Sequence, residues 1–548
     1  MSLQAESLPA VPSETSQVAR AAFPEGNMYM QMRDELDSLY DDEMFTNLYA
    51  QEGQPALNPW RLALVSVMQF GENLSDRQAA EAVRARIDWK YALSMELTDT
   101  GFHYSVLSEF RTRLIQGGLE QVLLDRLLER CKQRGWIKAR GRQRTDSTHL
   151  LAAVKELNQF EIVGETLRHT LNVLATVVPE WLTEGAKPEW FERYAERIED
   201  YRLPKDKTER ERLSKVIGED GYYLLDCIEQ ATGLAWLKQL PAVQTLERMW
   251  AQQYRLDHGQ VKRLEPKEML PVGEWIRSPY DQEARYGKKR DFDWVGYKVH
   301  LTETCDVELP HFITQVETVP AIQQDHHALD TIQAKLALSD LLPAQHLVDA
   351  GYISAKRILH SRDVHNIDLV GPVHNDPSWQ ARTPGALDVS QFQIDWRRQQ
   401  VTCPQGQHNT AWYLAQDAKG ESVVQILFDK RTCQACPVRS HCTTARTTGR
   451  SMTLRYPQER HEMLQTARLR QQTHAFKTLY RLRSGIEGTF SQTTRNSGLR
   501  RARYIGLPKT HLQSILTAIA TNILRLMHWL DGVPFAKTRT SPFAALAP

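Results

Sequence analysis

The chain has 548 residues, with 68 Lys and Arg against 67 Asp and Glu and a formal net charge of +1. Its hydrophobic content of 41% and charged content of 25% are those of an ordinary globular protein, which argues against the collagen-like, fully disordered and membrane-spanning classes. The length leaves room for about three to four domains. The near-zero net charge, taken alone, argues against nucleic-acid binding.

The N-terminus and the scattered cysteines bear on the compartment. The first residues lack the basic and apolar regions of a signal peptide, and no apolar stretch approaches the roughly 20 residues that cross a bilayer. Cys131, Cys227 and Cys305 are widely spaced, which suits a reducing compartment better than a disulfide framework. We therefore expect a cytoplasmic protein with no membrane association.

The N-terminal quarter predicts helices after a disordered start. Residues 1–25 are rich in Ser, Pro, Ala and Glu, a composition typical of a disordered tail. Residues 26–140 carry apolar residues at helical spacing, and Ser75 has the chemistry of an N-cap. A second short helix follows a turn at Thr98–Gly101. This pair of helices fits a DNA-binding helix-turn-helix and equally fits a small helical bundle.

The centre of the chain alternates strands and helices. RQRTDSTHLLAAV predicts a strand with Asp146 near its end, and WVGYKVHLTETCD and HFITQVETV predict two further strands. DHHALDTIQAKLAL is an amphipathic helix. HLVDAGYIS, which contains Asp349, and IDLVGPV are short strands. This order fits a mixed α/β sheet with helices on its faces.

Two insertions and a helical end complete the predicted organisation. The sheet occupies residues 141–371 and is interrupted by a helical insertion at 155–275. A turn-rich segment with four clustered cysteines follows at 372–455. Residues 456–532 predict C-terminal helices, one long stretch followed by an apolar helix. Residues 533–548 are expected to be a flexible tail.

Three acidic residues stand out by their context. Asp146 and Asp349 precede small or hydroxyl residues at predicted strand ends, where open α/β sheets expose reactive groups. An isolated aspartate there is more often a cap or turn residue. Glu487 lies four residues after Arg483 on a predicted helix, which also fits an ordinary surface ion pair. Three acids from three elements can instead hold two Mg²⁺ ions about 3.5–4 Å apart for phosphoryl transfer.

The third acid lies in a motif with a family resemblance. In LYRLRSGIEGTFSQTTR, the order Tyr480-x2-Arg483-x3-Glu487 resembles the Tyr-Arg-Glu-Lys signature of bacterial insertion-sequence DDE transposases. The position of the signature lysine is Thr494, with Arg495 beside it. TDSTHL, WVGYKVHLTETC, HLVDAGY and GLRRARYIG resemble the same group. The cysteine-bearing segment resembles more narrowly the insertion-sequence family numbered eleven-eighty-two.

This resemblance, which covers about residues 28–530, implies fold and function together. It implies an RNase H-like core in which Asp146, Asp349 and Glu487 bind two Mg²⁺ or Mn²⁺ ions. It also implies cleavage at the ends of a mobile element and joining of the 3′-hydroxyls to target DNA. The implied partners are terminal inverted repeats and target DNA. Because two element ends are paired, we expect a homodimer in the DNA complex. Other acids better fit loop or helix-cap positions: Asp291, Asp293 and Asp325.

The clustered cysteines have the spacing of metal ligands. Cys403 opens a C-P-Q-G turn, Cys433 and Cys436 form C-x2-C, and Cys442 follows. Four thiolates suit a closed structural Zn²⁺ site, and the low apolar content nearby suggests that a metal supplies folding energy. Free cysteines and an iron–sulfur cluster are the alternatives.

A basic segment is concealed within the balanced net charge. Residues 431–510 contain 16 Lys and Arg but only three acidic residues, a pattern typical of phosphate-backbone binding.

Three functions remain open: an active, nucleoid-associated transposase, an inactive DNA-binding regulatory derivative, and a metal-dependent nuclease without strand transfer. The residues expected to contact DNA are Tyr480, Arg483, Arg495, Arg500, Arg501, Arg503 and Lys509.

Overall fold

The structure is a computed structural model that describes residues 1–6, 8–37, 39–154, 157–199, 203–289, 291–418, 420–534 and 546. The predicted flexible tail, residues 533–548, lies almost entirely outside the described residues. No helix within the described part of the chain is long and apolar enough to cross a lipid bilayer.

The N-terminal region is helical, and the prediction that residues 1–25 are disordered is wrong for Ser13–Ala22. Part of residues 1–25 forms a helix that buries Ala19 and Thr15, and the Thr15 hydroxyl donates to the Met95 carbonyl at 2.8 Å. Ser75 forms the predicted N-cap, in a capping box with Gln78. The first predicted helix is divided in two at Arg86, and the second, Ser105–Gln116, follows the segment Thr98–Gly101, which the sequence predicts as a turn. The helices are α1 (Ser13–Ala22), α2 (Met28–Leu36), α3 (Pro59–Gly71), α4 (Asp76–Ala85), α5 (Ile87–Ala92), α6 (Ser105–Gln116) and α7 (Glu120–Gln133).

The first strand of the main sheet is followed by the helical insertion. Strand β1 (Arg142–Leu151) ends shortly before a group of helices with a hydrophobic cluster of its own. Trp250 is a buried member of that cluster, and its indole N–H donates to the Gly218 carbonyl at 2.9 Å. The insertion contains α8 (Gln159–Val177), α9 (Pro179–Gly185), α10 (Pro188–Tyr194), α11 (Lys207–Gln230), α12 (Pro241–Gln253), β2 (Tyr254–Asp257) and β3 (Gln260–Arg263).

The predicted mixed α/β sheet is confirmed. Its remaining elements are β4 (Arg285–Lys289), β5 (Phe292–Thr304), β6 (Ile313–Pro320), α13 (Asp325–Leu338), β7 (Gln345–Val348), α14 (Ala355–His365) and β8 (Asp368–Val370). The strand order is β4-β5-β1-β7-β8, and β6 also pairs with β5. Strands β1, β5 and β6 are antiparallel neighbours, whereas β7 and β8 continue the sheet parallel to β1.

The cysteine-bearing segment has small strands and short helices. They are α15 (Trp379–Arg382), β9 (Gln393–Asp395), β10 (Gln400–Thr402), β11 (Asn409–Gln416), β12 (Ser422–Phe428), α16 (Lys430–Gln434), α17 (Arg439–Cys442) and β13 (Ser451–Arg455). Strands β11, β12 and β13 form an antiparallel sheet. We call residues 372–455 the cysteine region.

The C-terminal helices return to the main sheet. The long helical stretch predicted after Pro457 is interrupted, because a short 3-10 turn covers Arg481–Gly485. One large hydrophobic cluster joins the N-terminal helices, the sheet and the last two helices. The N-terminal region therefore shares its core with the sheet. The C-terminal helices are α18 (Gln458–Arg470), α19 (His474–Tyr480), α20 (Ile486–Ser497) and α21 (Leu507–Leu530).

Candidate active site

The parallel pairing of β1 and β7 brings the two predicted aspartates together. Thr145 pairs with Val348, so the next residues on the two strands are Asp146 and Asp349. The sequence predicts Asp146 near the end of its strand, but Asp146 lies in the middle of β1. It is nevertheless at the rim of the parallel pairing, because β7 ends at Val348.

A single guanidinium connects these two carboxylates. Arg483 lies in the 3-10 turn before α20. It contacts Asp146 Oδ2 in a close ion pair and lies 3.8 Å from Asp349 Oδ2. The predicted helical stripe from Tyr480 through Arg483 to Glu487 is broken by that turn, so Arg483 faces the aspartates instead of pairing along its own helix.

Burial and neighbouring charges act on Asp146 in opposite directions. Burial raises its pKa to about 6, while Arg483 and the Ser147 amide oppose the rise, and Asp349 and Glu487 reinforce it. The Ser147 amide donates to Asp146 Oδ1 at 2.8 Å, and the Ala350 amide donates to Asp349 Oδ1 at 2.7 Å. Backbone amides thus orient both carboxylates.

Glu487 approaches the same site from the first turn of α20. Its side chain is exposed, whereas the neighbouring Ile486 is fully buried and anchors the helix start. Within the described residues, no group of three or more His, Cys, Asp or Glu side chains stands close enough to hold a metal ion. Asp146 and Asp349 are thus neighbours through the strand pairing, and the charge of Glu487 still influences Asp146.

The residues predicted to contact DNA fall into two groups. Arg495, Arg501 and Lys509 are exposed. The other residues make internal contacts: Arg483 as above, Tyr480 stacked on Phe476 with centroids 5.6 Å apart, Arg500 donating to the Thr148 hydroxyl at 3.0 Å, and Arg503 donating to the Leu74 carbonyl at 2.8 Å and to Asn73. Arg503 thus ties the segment before α21 to the loop between α3 and α4.

The four cysteines of the cysteine region line one cavity of about 60 Å³. The Gln407 amide lies 3.4 Å from Cys403 Sγ, and the Arg450 amide lies 3.5 Å from Cys433 Sγ. Cys436 and Cys442 complete the lining. The arrangement gathers four soft donors at one place, though not within metal-holding distance of one another.

Two of the three alternative acids have local partners. Asp325 begins α13 and accepts from Lys298 at 3.2 Å, and Asp293 lies 4.0 Å from Lys288. Sequence reasoning missed Tyr352, a fully buried residue whose hydroxyl lies 2.6 Å from His300 Nδ1. Its position three residues after Asp349, in the segment DAGY, is the signal that could have identified it.

Comparison with known families gives two matches at the two ends of the chain. Residues 402–527 match the family model described as a transposase DDE domain, and residues 17–113 match the one described as a transposase domain (DUF772). The first match contains Glu487 and the four clustered cysteines, whereas Asp146 and Asp349 lie outside both. No curated protein matches the chain. The two family matches together support a bacterial DNA transposase with a DDE domain.

Proposed function

We propose that the protein cleaves phosphodiester bonds at the ends of a mobile DNA element and joins the resulting 3′-hydroxyls to target DNA. The observation that carries this proposal is the register of β1 and β7, which makes Asp146 and Asp349 neighbours. Glu487 lies in the segment that matches a transposase DDE domain, and its negative charge contributes to the raised pKa of Asp146. Such an enzyme would work on chromosomal DNA in the cytoplasm.

We also propose that the sheet is an RNase H-like core. Three antiparallel strands, β1, β5 and β6, followed by two parallel strands, β7 and β8, support this proposal. The connections between β6, β7 and β8 run through α13 and α14, as parallel neighbours require. In this arrangement the two aspartates lie where the parallel pairing ends.

The carboxylates fit a divalent metal by their chemistry. Asp146, Asp349 and Glu487 supply only oxygen donors, which Mg²⁺ and Mn²⁺ prefer. The guanidinium of Arg483 already holds a positive charge between the two aspartates, which marks the position as one that favours a cation. When bound, two such ions would supply an activated hydroxyl or water and stabilise the leaving oxygen.

The chain's own residues then have distinct tasks. The Ser147 and Ala350 amides hold the aspartates in fixed orientations. Exposed Arg495, Arg501 and Lys509 would bind the DNA backbone, together with Arg500 beside β1. Pairing two element ends would require a homodimer in the DNA complex.

The cysteine region is proposed to hold a structural zinc ion. Cys403, Cys433, Cys436 and Cys442 supply four sulfur donors around one cavity, which is the donor set of a closed zinc site. The small apolar core nearby gives little folding energy of its own. Zinc would therefore stabilise the fold and take no part in the reaction.

The test uses purified protein, Mg²⁺ and DNA carrying the short inverted repeats that flank the encoding gene. We expect wild-type protein to cut at the repeat ends and to join them to a second DNA. Asp349→Asn should abolish both steps. Asp363→Asn, an exposed aspartate paired with Arg362 at 2.7 Å, is the matched control and should retain them.

The outcomes separate the competing functions. Cutting without joining would indicate a nuclease, and repeat binding without cutting would indicate an inactive regulatory derivative. Joining that survives Asp349→Asn would contradict the assignment of the carboxylates.

A further inference from the structure

A buried charged cluster lies next to the candidate active site, two residues before Asp146 on β1. Glu303 on β5 is fully buried and faces Arg144 on β1, its partner in the antiparallel ladder. Arg144 Nε donates to Glu303 Oε1 at 2.7 Å. From α21, Arg525 Nη1 donates to Glu303 Oε2 at 2.8 Å. We call Arg144, Glu303 and Arg525 the Glu303 cluster.

A hydroxyl on the Glu487 helix completes this cluster. Thr489 is buried, and its Oγ1 donates to Glu303 Oε2 at 2.6 Å and accepts from Arg525 Nη2 at 2.6 Å. Arg525 Nε also donates to Gln492 Oε1 at 3.0 Å. Helix α20 is therefore held to β5 and α21 by polar contacts that begin two residues after Glu487.

The same cluster reaches the turn that carries Arg483. Arg144 Nη1 donates to the Leu482 carbonyl, next to Arg483 in sequence. A Cβ at Gly485 would overlap the Arg144 guanidinium, so any larger residue there would have to displace that side chain. Arg144 is two residues from Asp146 on β1, so both side chains point to the same face of the sheet.

Energetics favour a positioning role for this cluster over a stabilising one. A buried ion pair is weak evidence for stability, because desolvation offsets its Coulombic gain. Directional hydrogen bonds, in contrast, fix the geometry of the groups that they join. Here two guanidiniums and one carboxylate leave one positive charge behind the acids.

We propose that the Glu303 cluster sets the positions of Glu487 and Arg483 relative to Asp146, and thereby sets the affinity of the carboxylates for divalent metal. This inference rests on the proposed function, since it assumes that these acids bind metal. Thr489 is the positioning residue that can be altered with least effect on charge.

The experiment compares isosteric changes at two buried hydroxyls of α20. Thr489→Val removes the hydroxyl that bridges Glu303 and Arg525. Thr493→Val is the matched control, because Thr493 is equally buried and its hydroxyl donates only to helix carbonyls, including that of Thr489 at 2.9 Å. Thr489→Ser keeps the bridging hydroxyl and serves as the rescue. Arg525→Lys, which keeps the charge and loses the fork, is the second probe if Thr489→Val does not fold.

Two readouts are measured on the full-length protein. Mn²⁺ binding without DNA is followed by electron paramagnetic resonance, and the Mg²⁺ concentration for half-maximal cleavage is compared with the rate at saturating Mg²⁺. We expect Thr489→Val to weaken Mn²⁺ binding by about tenfold, the lower end of effects seen for groups that orient metal ligands. Thr493→Val and Thr489→Ser should stay within about threefold of wild type.

The outcomes distinguish this inference from the proposed function. Equal Mn²⁺ affinity for Thr489→Val and Thr493→Val, or no rescue by Thr489→Ser, would overturn the positioning role. If Asp349→Asn abolishes Mn²⁺ binding in the same series, the metal site itself stands and only the role of the cluster is lost. If Asp349→Asn binds Mn²⁺ as well as wild type does, the metal assignment fails first.

Discussion

The candidate active site and the cysteine region place reactive groups in different ways. Asp146 and Asp349 lie on or next to strands of the sheet, and Glu487 lies on α20. One hydrophobic core joins these elements to the N-terminal helices, so packing sets the positions of the acids before any ligand binds. The cysteines lie half-buried around a cavity beside a small separate core. Packing organises the first region, whereas we propose that a zinc ion completes the second. What differs is the size of the hydrophobic core behind each set of side chains, which is large for the acids and small for the cysteines.

The largest expected effect is the loss of zinc from the cysteine region. Cys433→Ser should abolish zinc content, as measured by atomic absorption, and should expose residues 372–455 to hydrogen exchange. A structural zinc ion contributes on the order of 10 kcal/mol of apparent free energy to such folds. Peptides from β1 and β7 should keep their protection, because their core is separate.

The control for this change is Cys227→Ser, a half-buried cysteine of the helical insertion. This variant should retain one zinc per chain. The zinc proposal would be contradicted if purified wild-type protein contained no zinc, or if the cysteine region of Cys433→Ser stayed fully protected from hydrogen exchange. Both regions would then be held by packing alone.

The next largest effect is on catalysis. Asp146→Asn should lower DNA cleavage by about 10³-fold or more, since metal ions supply several kcal/mol of transition-state stabilisation. The fold should not suffer, because burial raises the pKa of Asp146 to about 6 and the ionised carboxylate is therefore unfavourable in the folded state. The variant should melt at or above the wild-type temperature at pH 7, without metal. Cleavage within tenfold of wild type would sink the assignment of Asp146.

A pH-dependent effect should separate the sheet from the cysteine region. His346 on β7 is fully buried, and its Nε2 lies 2.6 Å from Thr145 Oγ1. Burial lowers its pKa to about 3, well below the value of about 6.5 for an unfolded chain. The folded state therefore binds fewer protons between these values, and stability present above pH 6.5 is lost as the pH falls.

At pH 5 the loss attributable to His346 is about 2 kcal/mol. In His346→Gln, the difference in free energy of unfolding between pH 7 and pH 5 should be smaller by that amount, measured by denaturant titration. His408→Gln, an exposed histidine of the cysteine region, should leave the pH dependence unchanged. Equal pH dependence in wild type and His346→Gln would show that the buried imidazole is not the cause.

The local features of the sheet could be read from the sequence. Alternating β-branched residues identified β5 and β6, and the apolar pair before Asp349 identified β7. Strand register could not be read, because it depends on pairing between segments that are almost 200 residues apart. The adjacency of Asp146 and Asp349 therefore became visible only in three dimensions.

Interruptions and buried charges were harder to predict. The 3-10 turn that directs Arg483 to Asp146 lies in a segment with helical periodicity, and tertiary contacts override local propensity there. Glu303 lies in the quoted motif WVGYKVHLTETC, yet nothing local distinguishes a buried carboxylate from an exposed one. Its partners Arg144 and Arg525 lie on distant segments. Long-range ion pairs of this kind leave no periodic signal in a sequence.

The smallest expected effect is on the salt dependence of DNA binding. The basic segment 431–510 includes part of the cysteine region and the residues around Glu487. Exposed Arg501 forms a bridge with Leu151 at the end of β1, the strand that carries Asp146, whereas Arg446 is exposed in the cysteine region. Each phosphate contact contributes roughly one unit to the slope of log affinity against log salt. Arg501→Gln should therefore reduce the slope by about one unit, measured by fluorescence anisotropy across salt concentrations.

Arg503→Gln provides the contrast within the same cluster of arginines. Its guanidinium is engaged with Leu74 and Asn73 and lies over the Phe70 ring at 4.4 Å, so its loss should lower the melting temperature and leave the salt slope unchanged. If Arg446→Gln changes the slope and Arg501→Gln does not, DNA lies against the cysteine region rather than the acids. The carboxylates would then be remote from the phosphates that they are proposed to cleave, and the cysteine region would be the part that binds DNA.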